Sequence, residues 1–189
     1  MGLLDILTGR RKLAQPAPDR LFAITTAYVT LDSKLEIRSA GDAAIVFQSL
    51  ETADFTSIVR EMNELVTATA GDSATTVETS EDAYGFSWLI LRGKEFESLA
   101  VGINTVSSAL IDGGYGDRIL CAVFAFRDAQ GRPLYWIYNY KRGSFYPFVP
   151  RSDQQRDSQR ELVLKAQIGS ELPVEPDLAR WFPLWGIPV

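Results

Sequence analysis

The 189-residue chain contains no histidine and a single cysteine, Cys121. The missing histidine removes every Ser-His-Asp triad, Cys-His dyad, His general base and HExxH zinc site that could be built within it. One cysteine excludes an internal disulfide and a Cys/His structural zinc site, and it fits a reducing compartment. No apolar run approaches the ~18–20 residues of a membrane span. Leu3–Leu7 is too short for a secretory core and is interrupted by Asp5, and Ile6 stands where a myristoylation signal wants Ser or Thr. The expected location is the cytoplasm.

What is present is an ordinary globular composition, 46% hydrophobic and 23% charged, in a chain long enough to bury a core without metal or disulfides. The net charge is −5, which disfavours nucleic acid as a partner. The charge is unevenly spread. Residues 39–117 carry 13 acids and 3 bases, whereas residues 118–165 carry 9 bases and 4 acids. Solvated loops and helix faces account for this; a basic face within 118–165 is the alternative.

Residues 2–12 (GLLDILTGRRK) read as a short amphipathic helix ending in cations, and Pro16 and Pro18 make 13–18 a linker to a single domain over 19–189. In the helix, Leu4, Leu7, Arg10 and Arg11 suit either an anionic membrane interface or docking on a protein. Asp19 reads as an N-cap, and residues 20–37 as a helix despite β-rich stretches. Gly41-Asp42 reads as a turn before a strand from Ala43 to Leu50. Apolar spacing predicts helices over Asp54–Ala70, Phe96–Ile111 and Asp153–Ile168. Strands are expected at Thr75–Glu78, Tyr84–Arg92, Arg118–Phe126, Pro133–Tyr140 and Phe145–Phe148. Hairpin links imply an α+β fold, a two-layer sandwich of a mostly antiparallel sheet with helices on one face. The tail from Leu172 holds four prolines with Trp181, Phe182 and Trp185, too aromatic for disorder, and is expected to pack on the body.

The densest feature is Tyr135–Phe148, YWIYNYKRGSFYPF, with seven aromatics in fourteen residues around Lys141 and Arg142. Alternation divides its first strand into Tyr135, Ile137, Asn139 and Trp136, Tyr138, Tyr140, and at most one set faces a two-layer core. Most of these rings are expected in the core. An exposed set would make Tyr138, Tyr140, Lys141, Arg142 and Tyr146 a protein-contact surface. The Asp112–Asp117 run (DGGYGD) follows a helix and lacks nucleotide-loop spacing, so it reads as a C-cap. Cys121 reads as buried and inert. Ser144 has no nucleophile elbow around it, and Glu78, Glu81 and Asp82 read as a solvated turn rather than a carboxylate pair. No residue is assigned to catalysis, cofactor or metal.

MGLLDILTGR, EDAYGFSW (81–88), GGYGDRILCAVF (113–124), YNYKRGSFYPFVP (138–150) and VEPDLARWFPLWGIP (174–188) together resemble the PspA-associated PspAB family of actinobacteria and some archaea. That resemblance implies gene neighbourhoods shared with a phage-shock envelope-stress protein and with an HtpX-type membrane protease. It points to a non-enzymatic adaptor or regulator working by protein–protein contact, cytoplasmic, and peripheral to the inner face of the membrane only if residues 1–12 meet lipid rather than a protein. A small-ligand-binding domain or His-independent enzyme, and a chaperone-like homodimer, remain as alternatives.

Overall fold

The computed structural model describes residues 18–48, 53, 56, 57, 59–61, 64, 75–152 and 154–189. The expected N-terminal helix and the linker up to residue 17 lie outside the described residues. The expected helix over 54–70 lies largely outside them too, although the residues described there are helical.

Six strands form one antiparallel sheet in the order β2-β3-β1-β4-β5-β6. They are β1 (Arg38–Phe47), β2 (Thr76–Glu81), β3 (Ser87–Arg92), β4 (Ile119–Arg127), β5 (Pro133–Asn139) and β6 (Ser144–Phe148). Three α-helices are bounded within the described residues, α1 (Ala23–Leu35), α2 (Phe96–Asp112) and α3 (Ser158–Ile168). The α+β fold expected from the pattern is therefore the observed one.

Helix α1 forms despite Thr25, Thr26, Val29 and Thr30, because burial outweighs their β preference. Leu21, Ile24, Ala27 and Leu31 recur at helical spacing and are fully buried. Helix α2 buries Phe96, Leu99, Ile103, Val106 and Leu110 on one stripe. It ends in a Schellman motif: Tyr115 N–H donates to Leu110 O at 2.7 Å and Gly114 N–H to Ile111 O at 3.0 Å. Gly114 sits at φ +83°, which the motif requires. The DGGYGD run is thus a helix stop.

Several expected boundaries move: β2 runs to Glu81 rather than Glu78, so Glu78 and Glu81 lie in a strand and not a turn, and β3 starts at Ser87 rather than Tyr84. Gly41-Asp42 does not precede the strand but lies inside it, in a β-bulge where the β1–β4 register shifts between Ser39 and Ala43. Gly41 has φ +87°, and a Cβ there would lie 3.2 Å from Gly93 O, so glycine serves the bulge. Helix α3 begins at Ser158 rather than Asp153. Pro150 bridges back to Arg156, and Asp157 then caps the helix, its carboxylate accepting from Arg160 N–H at 3.0 Å.

The sheet is covered on both faces, and strand alternation sorts side chains between them. Ile45, Leu89, Leu91, Phe124, Phe126, Trp136 and Tyr138 pack with the three helices. Val46, Ile90, Val123, Ile137, Tyr146 and Phe148 lie in a second cluster with Trp181, against which Leu184, Trp185 and Ile187 pack. The aromatic tail replaces helices on that face. Each fully buried large side chain contributes about 1.5–3 kcal/mol relative to exposure.

Candidate functional site

The basic turn singled out in the sequence joins β5 to β6. Gly143 N–H donates to Asn139 O at 2.8 Å and lifts Lys141 and Arg142 into solvent, both exposed. Arg142 is held on its inner side. Its Nε donates to Glu175 Oε2 at 3.3 Å, and the Ser144 hydroxyl donates to the same oxygen at 3.3 Å. Glu175 is buried, and its other oxygen accepts from Asp177 N–H at 3.1 Å. Ser144 is therefore hydrogen-bonded to the same buried carboxylate that braces Arg142.

The rings around this turn are not on the surface. Tyr138 and Tyr140 are fully buried under the helices, their centroids 5.1 Å apart, and Tyr146 is 3% exposed beneath the tail. The contact role for these three is corrected accordingly: a ring inside a core cannot meet a partner of the folded chain. The set Trp136, Tyr138, Tyr140 faces the helix side, and the opposite set still finds cover from the tail. Of the predicted protein-contact residues, only Lys141 and Arg142 are presented outward. Leu4, Leu7, Arg10 and Arg11 lie outside the described residues.

Strand β6 would be an exposed edge if the chain left it bare. Instead Phe145 N–H donates to Pro173 O and Glu175 N–H to Phe145 O, both at 2.8 Å. Pro147 has no N–H to offer. Val149 N–H donates to Glu161 Oε1 at 2.9 Å, and Asp157 N–H to Val149 O at 2.8 Å. Tail and helix cap thus seal the edge beside the basic turn. The other edge, β2, carries Glu78 ion-paired to Arg92, and Glu81.

A second ion pair ties this side together. Arg156 Nε donates to Glu161 Oε2 at 2.8 Å, Glu161 is 1% exposed, and the guanidinium also donates to Trp181 O. Sequence spacing gave no sign of this pair as a contact between helix and tail, because Trp181 is far along the chain. Asp82 turns out to organise a turn: one oxygen accepts from Tyr84 and Phe86 N–H and the other from Trp88 Nε1, at 2.9 to 3.0 Å. Burial works against its ionisation, but these bonds outweigh it and hold the carboxyl below its ordinary value.

Cys121 is buried in the tail-side cluster, and burial pushes its thiol up to about 12. A thiol at that value stays protonated through neutral pH and is a poor nucleophile. Alkylation by iodoacetamide should therefore be negligible in the folded chain at pH 7 to 9 and fast in denaturant. Modification at the rate of a free thiol under native conditions would contradict the burial. Among the described residues, no group of three or more Cys, Asp or Glu could hold a metal ion, and no helix is long and apolar enough to cross a membrane.

The family model for PspAB, PspA associated protein B, matches residues 1–189. The chain belongs to the PspAB family. No curated protein and no solved structure matches it. The match spans every segment on which the sequence resemblance rested, including the YKRGSFYPF turn and the WFPLWG tail. In this PspAB chain those two segments meet, Tyr146 Oη donating to Phe182 O at 3.1 Å, and just upstream of WFPLWG Glu175 pairs with the turn's Arg142, 3.3 Å between Oε2 and Nε.

Proposed function

We propose that this PspAB chain is a non-enzymatic adaptor or regulator in a PspA-linked membrane-stress response, acting by protein–protein contact at the inner face of the membrane. The observation that carries the reading is the β5–β6 turn. It offers two adjacent cations, Lys141 and Arg142, on a hairpin braced by a buried carboxylate. Membership of a PspA-associated family supports a PspA-linked role, and an acidic partner surface suits the turn. Cys121 adds support, since burial keeps the chain's one thiol protonated and out of reach. An HtpX-type membrane protease is the second partner the reading names.

Binding of the full chain to a purified PspA-type protein, followed by biolayer interferometry, tests this. Changing Lys141 and Arg142 together to Glu should weaken binding by about tenfold or more, mainly through slower, salt-sensitive association. Equal binding by the charge-reversed chain would remove the turn from the proposal. No binding by the native chain to either partner class would remove the adaptor reading itself.

A further inference from the structure

At the far end of the same hairpin lies a cleft of about 350 Å³. Three segments meet there: the β4–β5 turn with Asp128 and Arg132, the exit of β6 with Val149 to Ser152, and the first turn of α3 with Asp157 and Arg160. Strand β5 separates this cleft from the Lys141–Arg142 turn by about 20 Å, at ~3.3 Å per residue. The two places are independent surfaces.

Among the described residues, the lining holds three guanidiniums against two carboxylates. Both carboxylates are already committed. Asp128 accepts from Gln130 and Arg132 N–H on one oxygen and from Arg132 Nε, at 2.9 Å, on the other. Asp157 accepts from Arg160 N–H at 3.0 Å and, on its second oxygen, from Arg151 Nε at 3.1 Å and Nη2 at 2.6 Å. Arg160 N–H first, then Arg151, keeps Asp157 below its ordinary value, and Arg132 is close enough to add to the effect. The two ion pairs therefore face one another and are locked in the charged form.

The arginines are not equally committed. The bonds to the aspartates use the Nε and Nη2 side of Arg132 and Arg151, and Arg132 Nη2 also donates to Gln130 Oε1 at 3.2 Å, which among the described residues leaves each guanidinium its Nη1. Arg160 has no carboxylate partner among the described residues, and its Nε is buried without a hydrogen-bond acceptor. That Nε has no accessible surface, so the terminal amino groups of Arg160 are what can reach a ligand oxygen in the cleft. The rest of the lining is Pro133, Leu134, Val149 and Pro150, which are apolar, and Ser152. Asp157 already caps α3, so the arginines, not the helix end, are the anion receptors.

We propose that this cleft binds a carboxylate carried on a short apolar body, with Arg160 as the principal donor, Arg132 and Arg151 flanking it, and the Pro133–Leu134 and Val149–Pro150 walls taking the body. One uncompensated positive charge favours a monoanion over a phosphate dianion. The carboxylate can come from a free small acid or from an acidic side chain or chain end of a polypeptide. The site does not depend on the adaptor reading, since it shares no residue with the Lys141–Arg142 turn.

The test uses the full ¹⁵N-labelled chain and follows arginine Nε–Hε resonances. The probes are 4-methylpentanoate, the capped peptide acetyl-Leu-Glu-Leu-Glu-amide, and inorganic phosphate. Either carboxylate probe should shift the Arg160 Nε–Hε signal saturably by millimolar concentration, with phosphate weaker. Tighter binding of the peptide marks a polypeptide source, and tighter binding of the free acid a small-molecule one. Arg160→Gln should weaken binding by about tenfold, and Arg132→Gln by less, from the loss of charge-assisted bonds. Lys141→Glu with Arg142→Glu should leave it unchanged. Absence of a saturable shift with both carboxylates in the native chain, or equal affinity in Arg160→Gln, overturns the proposal. Tighter phosphate binding overturns the choice of carboxylate.

Discussion

Replacing Arg156 by alanine will lower the unfolding free energy by about 3–5 kcal/mol, read from the denaturant midpoint at constant slope. Against a total of about 5–15 kcal/mol for a domain, that is a large share. The size follows from what stays behind. Glu161 is 1% exposed, and without Arg156 its carboxylate keeps, among the described residues, only the Val149 N–H as a partner. The same substitution removes the donor to Trp181 O and so loosens the tail. Replacing both partners by Met and Leu should recover part of the loss, because an apolar pair carries no uncompensated charge. Recovery will be incomplete, since Val149 N–H then lacks its acceptor. A midpoint unchanged in Arg156→Ala would show that Glu161 does not depend on its partner.

Trp181→Ala will cost a similar amount, about 3–5 kcal/mol, by emptying the centre of the tail-side cluster. Trp181 is 5% exposed, stacks on Tyr146 with centroids 6.4 Å apart, and donates its Nε1 proton to Glu175 O at 3.0 Å. Lys165 Nζ lies 5.6 Å from the ring centroid, a cation–π contact that ties α3 to the tail. Trp181→Phe keeps much of the ring contact but loses the N–H donor, so it should cost only about 1–2 kcal/mol. Thermal unfolding separates the two: alanine should lower Tm by about 10 °C and phenylalanine by a third of that. Equal shifts would assign the residue's contribution to the hydrogen bond rather than to packing.

Much of the architecture was legible because local signals and burial agree. The stripe of α2, the stop at Gly113-Gly114 and the three hairpins each show up as a periodicity closed by a turn residue. Other features were silent for physical reasons. Alternation along Tyr135–Asn139 divides the side chains into two sets but cannot say which set lies under helices when both faces are covered. Tyr138 and Tyr140 show the consequence: most rings of the segment were expected in the core, but these two were kept as a contact surface should their set face outward, and they are wholly buried. Gly41-Asp42 looks like a turn because a bulge asks for the same glycine conformation. The onset of α3 is set by the Asp157 cap after a bridge between Pro150 and Arg156, a contact outside any periodic signal. The arginine cleft was hidden more deeply: Asp128, Arg132, Arg151, Asp157 and Arg160 read as scattered solvated charges until the sheet end and the helix start are brought together. The surplus of bases over residues 118–165 was its one trace.

The sealing of β6 also limits how copies of this chain could polymerise. A sheet open at both sides can recruit a strand on each and grow without end. Here one side is closed by the chain's own tail and helix cap, so among the described strands the one left to take an added strand is β2. Two copies meeting there through a twofold axis would use up both open sides at once. Assembly by strand addition would then terminate at the pair, and a fibre would first require the tail to peel away.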